Sequence, residues 1–535
     1  MAGPCGRAGF RKEQCDMFDL LIRGGTVMDG TGKPGSGADV AVADGRIAAV
    51  GDLRGMNARR VLEADGLAVA PGFIDAHAHS DTSFLEDSSG ASKLYQGITT
   101  EVTGNCGDSP FPCPPGQADG SLRKCPSLDA FIRRFEEGGY SMAVNQAIMV
   151  GHGSLRESVI GSEARPAGNA EMEQMKQLLR RELASGAWGL SLGLEYAPGC
   201  FADQAELNEL GAVVREYDGL VSCHMRSEGL HIDEALQELL DIGRSSGVRV
   251  NVSHLKLDNP RAHGRAPEVW SAIEQARREG VRVTADMYPY TASCTSLSIR
   301  CPRWSLDGGT GALLRHLQGP RRQEVIEGIR AHYYNAERAE TCLFSGDGGL
   351  WPEIVGKTLR QAAEELCGTT DYAEAAARIL LRTKAGATCI FFVMSERDML
   401  YFLHRDTGIG SDGYALSGDP ARVRTMPHPR SYGAVAEFFR LAREHSICTT
   451  EEAVRRVTSK AAAVIGLRDR GVLREGLAAD ITVFDPAAIA PNATYLRPVQ
   501  LASGVRHVII NGRPALVDGR QTDGRYGRFL RKPGV

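Results

Sequence analysis

Apolar and polar positions follow two different rhythms along this chain. Over 18–50, short alternating runs are broken by Gly and Asp turns, a pattern of small antiparallel strands. The texture returns in ADITVFDP (479–486) and VRHVIINGRPALVDG (505–519). Chain ends often lie close together in space. The two segments therefore predict one small β-sandwich-like domain, 18–70 plus 467–528, preceded by a loose extension over 1–17. Between them, strand and helix patterns alternate. Apolar runs at 98–103, 144–150, 189–194, 220–224, 248–254 and 281–286 read as strands, as do 388–393 and 408–412. Helical periodicity covers 171–185, 232–245 and 267–278, and Asp203 followed by Glu206 forms a capping-box pattern. The repeat of about 30 residues is that of βα units. With this many units, the fold class is α/β: a (β/α)₈ barrel over 71–466. The rhythm breaks over 305–386, read as a helical insertion above the barrel mouth.

Composition narrows the classes. The 535 residues carry a net charge of −4, with no basic face for nucleic acid. No apolar run is long enough for a membrane span. The first residues lack the apolar core of a secretory signal. Thirteen scattered cysteines read as thiols of a reducing cytoplasm rather than a disulfide framework. Oligomeric state leaves no trace in these patterns.

The chemistry concentrates at predicted strand exits, where barrel enzymes place functional groups. PGFIDAHAHSD (71–81) brings His77 and His79 out on one face, because side chains two apart in a strand share a side. GNCG places Cys106 after the second strand, two later strands end at His224 and His254, and GIGSDG ends the last at Asp412. Imidazole, thiolate and carboxylate are the ligands zinc takes. Each has an innocent reading: a hydrogen-bonded histidine, a small core cysteine, an aspartate in a Ser-Asp-Gly turn. Their joint placement on strand ends favours a metal centre. Arg430, stiffened by the prolines of MPHPRSY, offers a fork of donors suited to a carboxylate. Lys256 lies two residues beyond His254 and would face the same way. Tyr288 and Tyr290 flank Pro289, and Arg226 follows His224 by two.

These stretches, together with GHGSLR, SCHMRSEG, VSHLK, DMYPYTAS and the tail GVLREGLAADITVFDP, resemble the amidohydrolase superfamily and, within it, the D-aminoacylases (N-acyl-D-amino-acid deacylases). The paired histidines and the tail are superfamily features. The Cys of GNCG and the SHLK and PHPR motifs are specific to the deacylase branch. The resemblance implies zinc-dependent hydrolysis of the amide of a small N-acyl-D-amino acid, with a metal-activated water as nucleophile. It implies one tightly held Zn²⁺ on Cys106, His224 and His254, and a second, partly filled position at His77, His79 and Asp412. It also makes Asp412 the general acid/base, and Lys256, Tyr288 and Arg430 the holders of the substrate's α-carboxylate. Alternatives are a cyclic-amide hydrolase of the dihydroorotase or hydantoinase kind and a peptide-cleaving member; a non-enzymatic scaffold fits poorly with a complete ligand set. Three features depart from the pattern. Asp108 follows GNCG where an apolar residue is expected, a long segment separates Asp412 from Arg430, and Arg300 and Arg303 stand where relatives are apolar. A cation there would favour an acidic acyl-amino acid.

Overall fold

A computed structural model describes residues 17–114, 116–118 and 120–534. Apart from Met17, the expected N-terminal extension lies outside the described residues. Eight parallel strands follow one another around the central unit: β1 (Phe73–Asp75), β2 (Ile98–Thr103), β3 (Asn145–Ile148, resuming after Met149 as Val150–Gly151), β4 (Gly189–Gly193), β5 (Leu220–His224), β6 (Arg249–Val252), β7 (Val283–Met287) and β8 (Gly408–Ile409). Their ladders form two sheets, one running from β1 to the first half of β3 and the other from its second half to β8. Isolated bonds join the sheets. Trp188 N donates to Ile148 O (3.0 Å) at one seam, and Ala76 N donates to Ile409 O (3.2 Å) at the other, where Ala78 also bridges Gly413 in parallel. The strands are buried along nearly their whole length, as parallel strands covered on both faces must be.

Helices enter and leave where local chemistry directs. Ser127 caps Leu128–Glu137 by accepting from Ala130 N, and Gly247, at φ 67°, ends Ile232–Ser246 in the left-handed conformation that glycine tolerates. Asp203 caps Gln204–Glu216 through Glu206 N at 2.9 Å. The other half of that expected capping box does not form. The Glu206 carboxylate turns instead to His152 Nε2 (2.7 Å) and to the fully buried Arg156, because a buried guanidinium needs a charged partner more than a cap does.

The predicted strand at 388–393 does not join the barrel. Ala387–Phe391 lies between Ser293–Ser296 and Cys342–Asp347 in a separate three-stranded antiparallel sheet. An apolar run shows that a strand will be buried, but not which partners bury it. This sheet packs with helices Gly309–Gln318, Arg322–Arg330 and Tyr372–Arg382 around a core of its own that includes Leu313, Ile326, Phe344 and Ile379. The unit between β7 and β8 is thus part sheet and part helix.

The chain ends meet in one nine-stranded sheet. Ala68–Pro71 pairs antiparallel with Ile481–Phe484, Pro71 opposite Ile481 and Ala68 opposite Phe484. The sheet curls until Arg46 bridges Ala478, and Leu20, Ile22, Val40, Val42, Val69, Ile481, Val483 and Ile509 fill the interior of the curl. Among the described residues, no helix is long and apolar enough to cross a membrane.

Beneath the β1–β8 seam lies a fully buried lysine. Lys93 Nζ reaches Asp75 Oδ2 (2.8 Å), Glu101 Oε1 (3.0 Å) and Ser411 Oγ (2.8 Å). Asp75 Oδ1 in turn accepts from Ser411 N at 2.7 Å and His77 N at 3.3 Å. One cation therefore ties β1, β2 and the exit of β8. Lys93→Met would leave two buried carboxylates without their counter-charge and should lower unfolding free energy by about 3–5 kcal/mol, read from urea denaturation midpoints; an unchanged midpoint would remove this role.

Candidate active site: a thiol–imidazole cluster at the barrel mouth

The six expected metal-ligand candidates converge. His77 and His79 stand on the extended exit of β1, Cys106 follows β2, His224 ends β5, His254 follows β6, and Asp412 follows β8. Cys106 Sγ is 3.3 Å from both His77 Nε2 and His254 Nε2, and His79 Nε2 is 2.9 Å from Asp412 Oδ1. Two donor groups result, His77/His79/Cys106/Asp412 and Cys106/His224/His254, each with its ligand atoms within 4.8 Å of one another. Cys106 belongs to both.

The backbone is strained at this convergence. Cys106 (φ 53°), His254 (φ 37°) and Asp412 (φ 50°) all adopt left-handed conformations, which cost a side-chain-bearing residue of order 1 kcal/mol or more and persist where the surroundings over-determine them. Gly107 shows why the GNCG loop carries glycine. It too is left-handed (φ 81°), and a Cβ on it would stand 2.7 Å from Gly193 N on β4.

Burial and neighbouring charge set the protonation states. Burial pushes His224 down to about 4 and, with Lys256 beside it, holds His254 well below the usual imidazole range. Both rings are thus neutral and able to act as ligands. Burial opposes ionisation of Asp412, but the charge of Arg430, the nearby imidazoles and the bond from His79 outweigh it and hold this carboxyl well below its ordinary value. Burial, reinforced by the Asp412 charge, pushes the Cys106 thiol well above its ordinary value.

The motifs also contain carboxylates that sequence reading passed over. Glu228 Oε1 is 3.0 Å from His254 Nδ1, Glu195 Oε2 is 3.0 Å from His224 Nε2, and Asp286 Oδ1 is 3.6 Å from His77 Nδ1. Glu228 and Asp286 sit inside SCHMRSEG and DMYPYTAS, and Glu195 follows β4 by two residues. The strand-exit rule applied to His and Cys finds all three once it is extended to acids. Burial first, and then the Glu228 charge, push Glu195 up to about 7.

A cavity of about 1070 Å³ opens over the cluster. Lys256, Tyr288 and Arg430 line it together: Lys256 Nζ lies 5.9 Å and Arg430 Cζ 4.7 Å from the Tyr288 ring centroid. Both cations are engaged by site acids, Lys256 with Glu228 and Arg430 Nη1 with Asp412 Oδ2 at 2.8 Å. Tyr290 points away, its ring against His428 and Tyr495. Arg226 is not part of the cavity wall. It clamps Glu238 and the carbonyls of Cys200 and Ala202, a structural role that its spacing from His224 did not reveal. Arg300 and Asp108 line the cavity, whereas Arg303 is exposed outside it.

The profile of the amidohydrolase family matches residues 60–296 and 412–516, more than half of the chain. The gap between the two matches contains most of the inserted unit. The chain belongs to the amidohydrolase family. The N-acyl-D-glutamate deacylase of Alcaligenes xylosoxydans xylosoxydans is 35% identical to it over 97% of both chains. The D-aminoacylase of the same organism is 35% identical over 96% of this amidohydrolase and 97% of the relative. The crystal structure of N-acyl-D-glutamate deacylase from Bordetella bronchiseptica, complexed with zinc and a phosphonate inhibitor, superposes with a TM-score of 0.82 at 34% identity, covering 96% of this chain and 100% of that one.

The donor set fits a thiophilic divalent cation. It combines one sulfur with the neutral imidazoles of His224 and His254, and the buried Nδ1 of His224 has no hydrogen-bond partner. Because the Cys106 thiol holds its proton in the metal-free chain, cation uptake must release that proton. Zn²⁺ affinity, measured by chelator competition, should therefore rise by about tenfold per pH unit between pH 6 and 8, and Cys106→Ala should abolish both tight binding and that slope.

Proposed function

We propose that this amidohydrolase cleaves the amide bond of N-acyl-D-amino acids to a carboxylate and a free D-amino acid, and that it prefers acidic side chains. One observation carries the reading: Asp412 belongs to the thiol–imidazole cluster and also pairs with Arg430, which with Lys256 and Tyr288 forms a wall suited to a carboxylate. The names of the two relatives and the zinc-bound, phosphonate-inhibited structure support it. Zinc is the cofactor that best suits this ligand set. Cys106, His224 and His254 would hold it tightly, and His77, His79 and Asp412 would make a second position, partly filled. When bound, the metal supplies a Lewis acid that brings the pKa of a water to about 7 and polarises the scissile carbonyl.

The protein's own groups do the rest. Arg430 pairs bidentately with the substrate's α-carboxylate, exchanging one carboxylate partner, Asp412, for another. Lys256 and Tyr288 complete that grip. Asp412, kept ionised, takes the proton of the attacking water and delivers it to the leaving amine. The scattered, odd-numbered cysteines support a reducing, cytoplasmic setting.

Arg300 supports the acidic preference. It lines the cavity with its Cζ 4.5 Å from the Phe391 ring centroid. Asp258 and Glu195 are near enough to act on it electrostatically, yet among the described residues no carboxylate forms an ion pair with it. A substrate carboxylate would fill that place.

Asp412→Asn should retain zinc at the Cys106 site, counted by metal analysis, and lose about 10²–10⁴-fold in kcat; a near-native rate would end its acid/base assignment. Arg300→Ala should cut kcat/KM for N-acetyl-D-glutamate by about 10- to 100-fold, the worth of one charge-assisted hydrogen bond, while leaving N-acetyl-D-leucine unchanged. An unaltered ratio of the two rates would refute the acidic preference.

A further inference from the structure

Each ligand imidazole must present one particular nitrogen to the metal, and a neutral ring has a single proton to place. His254 and His224 differ in what stands beside their two nitrogens. His254 directs Nε2 toward Cys106 Sγ at 3.3 Å, while its Nδ1 meets the Lys256 ammonium at 2.9 Å, with Glu228 Oε1 also 3.0 Å away. In His224 the carboxylate is on the other side: Glu195 Oε2 lies 3.0 Å from Nε2, while the buried Nδ1 has no hydrogen-bond partner. The ring cannot readily turn over, since Tyr196 and His254 pack on it at centroid distances of 4.7 and 4.6 Å.

We propose that Glu195 is a positioning residue for the metal centre: it accepts the Nε2 proton of His224 and so leaves the Nδ1 lone pair to the cation. The argument rests on the zinc-centre reading above. A carboxylate behind a ligand histidine fixes the tautomer and ring orientation and makes the ligating nitrogen more basic. Glu228 cannot take over the task. Its Oε2 is 3.8 Å from His224 Nε2 and is held by Lys256, and its Oε1 faces His254. Glu195 also follows β4, a barrel strand that contributes none of the expected ligands. The proposal thus gives the Gly193–Glu195 exit a role in metal retention that no metal-ligand motif marks.

The test is zinc affinity of the metal-depleted full-length chain, measured by chelator competition in Glu195→Ala, Glu195→Gln, His224→Ala and the His224→Ala/Glu195→Ala double variant. Melting temperatures of the metal-free forms serve as the check on folding. Glu195→Ala should bind zinc about 10- to 100-fold more weakly with an unchanged apo melting temperature. Glu195→Gln should recover most of the loss, because its amide oxygen still accepts from Nε2. With His224 already removed, Glu195→Ala should cost nothing further. An undiminished loss in the His224→Ala background would make Glu195 a direct ligand and overturn the proposal. Wild-type zinc affinity with only KM raised would make it a substrate contact and overturn it equally. A wild-type chain that takes up no zinc would instead strike down the metal centre itself, and this inference with it.

Discussion

The site depends on a charge buried beneath it. Lys93, fully enclosed, binds Asp75, Glu101 and Ser411 at once, and so joins the exit of β1 to the exit of β8 where the strand ladder is reduced to isolated bonds. A buried ion pair costs desolvation and is retained where it specifies geometry. Here the specified geometry is the approach of His77 and His79 to Asp412, sealed by Asp412 N donating to His77 O at 2.7 Å. Without that seam, histidines from the first strand and an acid more than three hundred residues later would have no fixed distance.

A second constraint acts above the first. Three of the converging side chains, on Cys106, His254 and Asp412, sit on left-handed backbone. Such positions are costly, and here the cost is offset by a rigid barrel with close glycine contacts. Strain of this kind turns a side chain inward at a strand exit where ordinary extended geometry would carry it past the centre.

Charge around the cluster is paired locally: Glu228 is answered by Lys256 and Asp412 by Arg430. Both cations are therefore already compensated in the free protein.

Much of this was legible from residue order. The βα rhythm, the pairing of the two termini in one β unit, and each ligand candidate follow from period, turn residues and strand-exit position, because burial on both faces of a parallel strand leaves a continuous apolar run. The run at 388–393 shows the limit. Its apolar pattern demanded burial but could not distinguish the barrel from the inserted antiparallel sheet, because hydrogen-bond partners lie far away in sequence. The place of Tyr288 rather than Tyr290 on the cavity wall, the clamp role of Arg226, the diversion of Glu206 from its cap and the carboxylates beside the histidines were decided only by tertiary packing. The local pattern determines which residues are buried or aligned; which nitrogen meets which oxygen is decided by distances between segments that residue order alone does not contain.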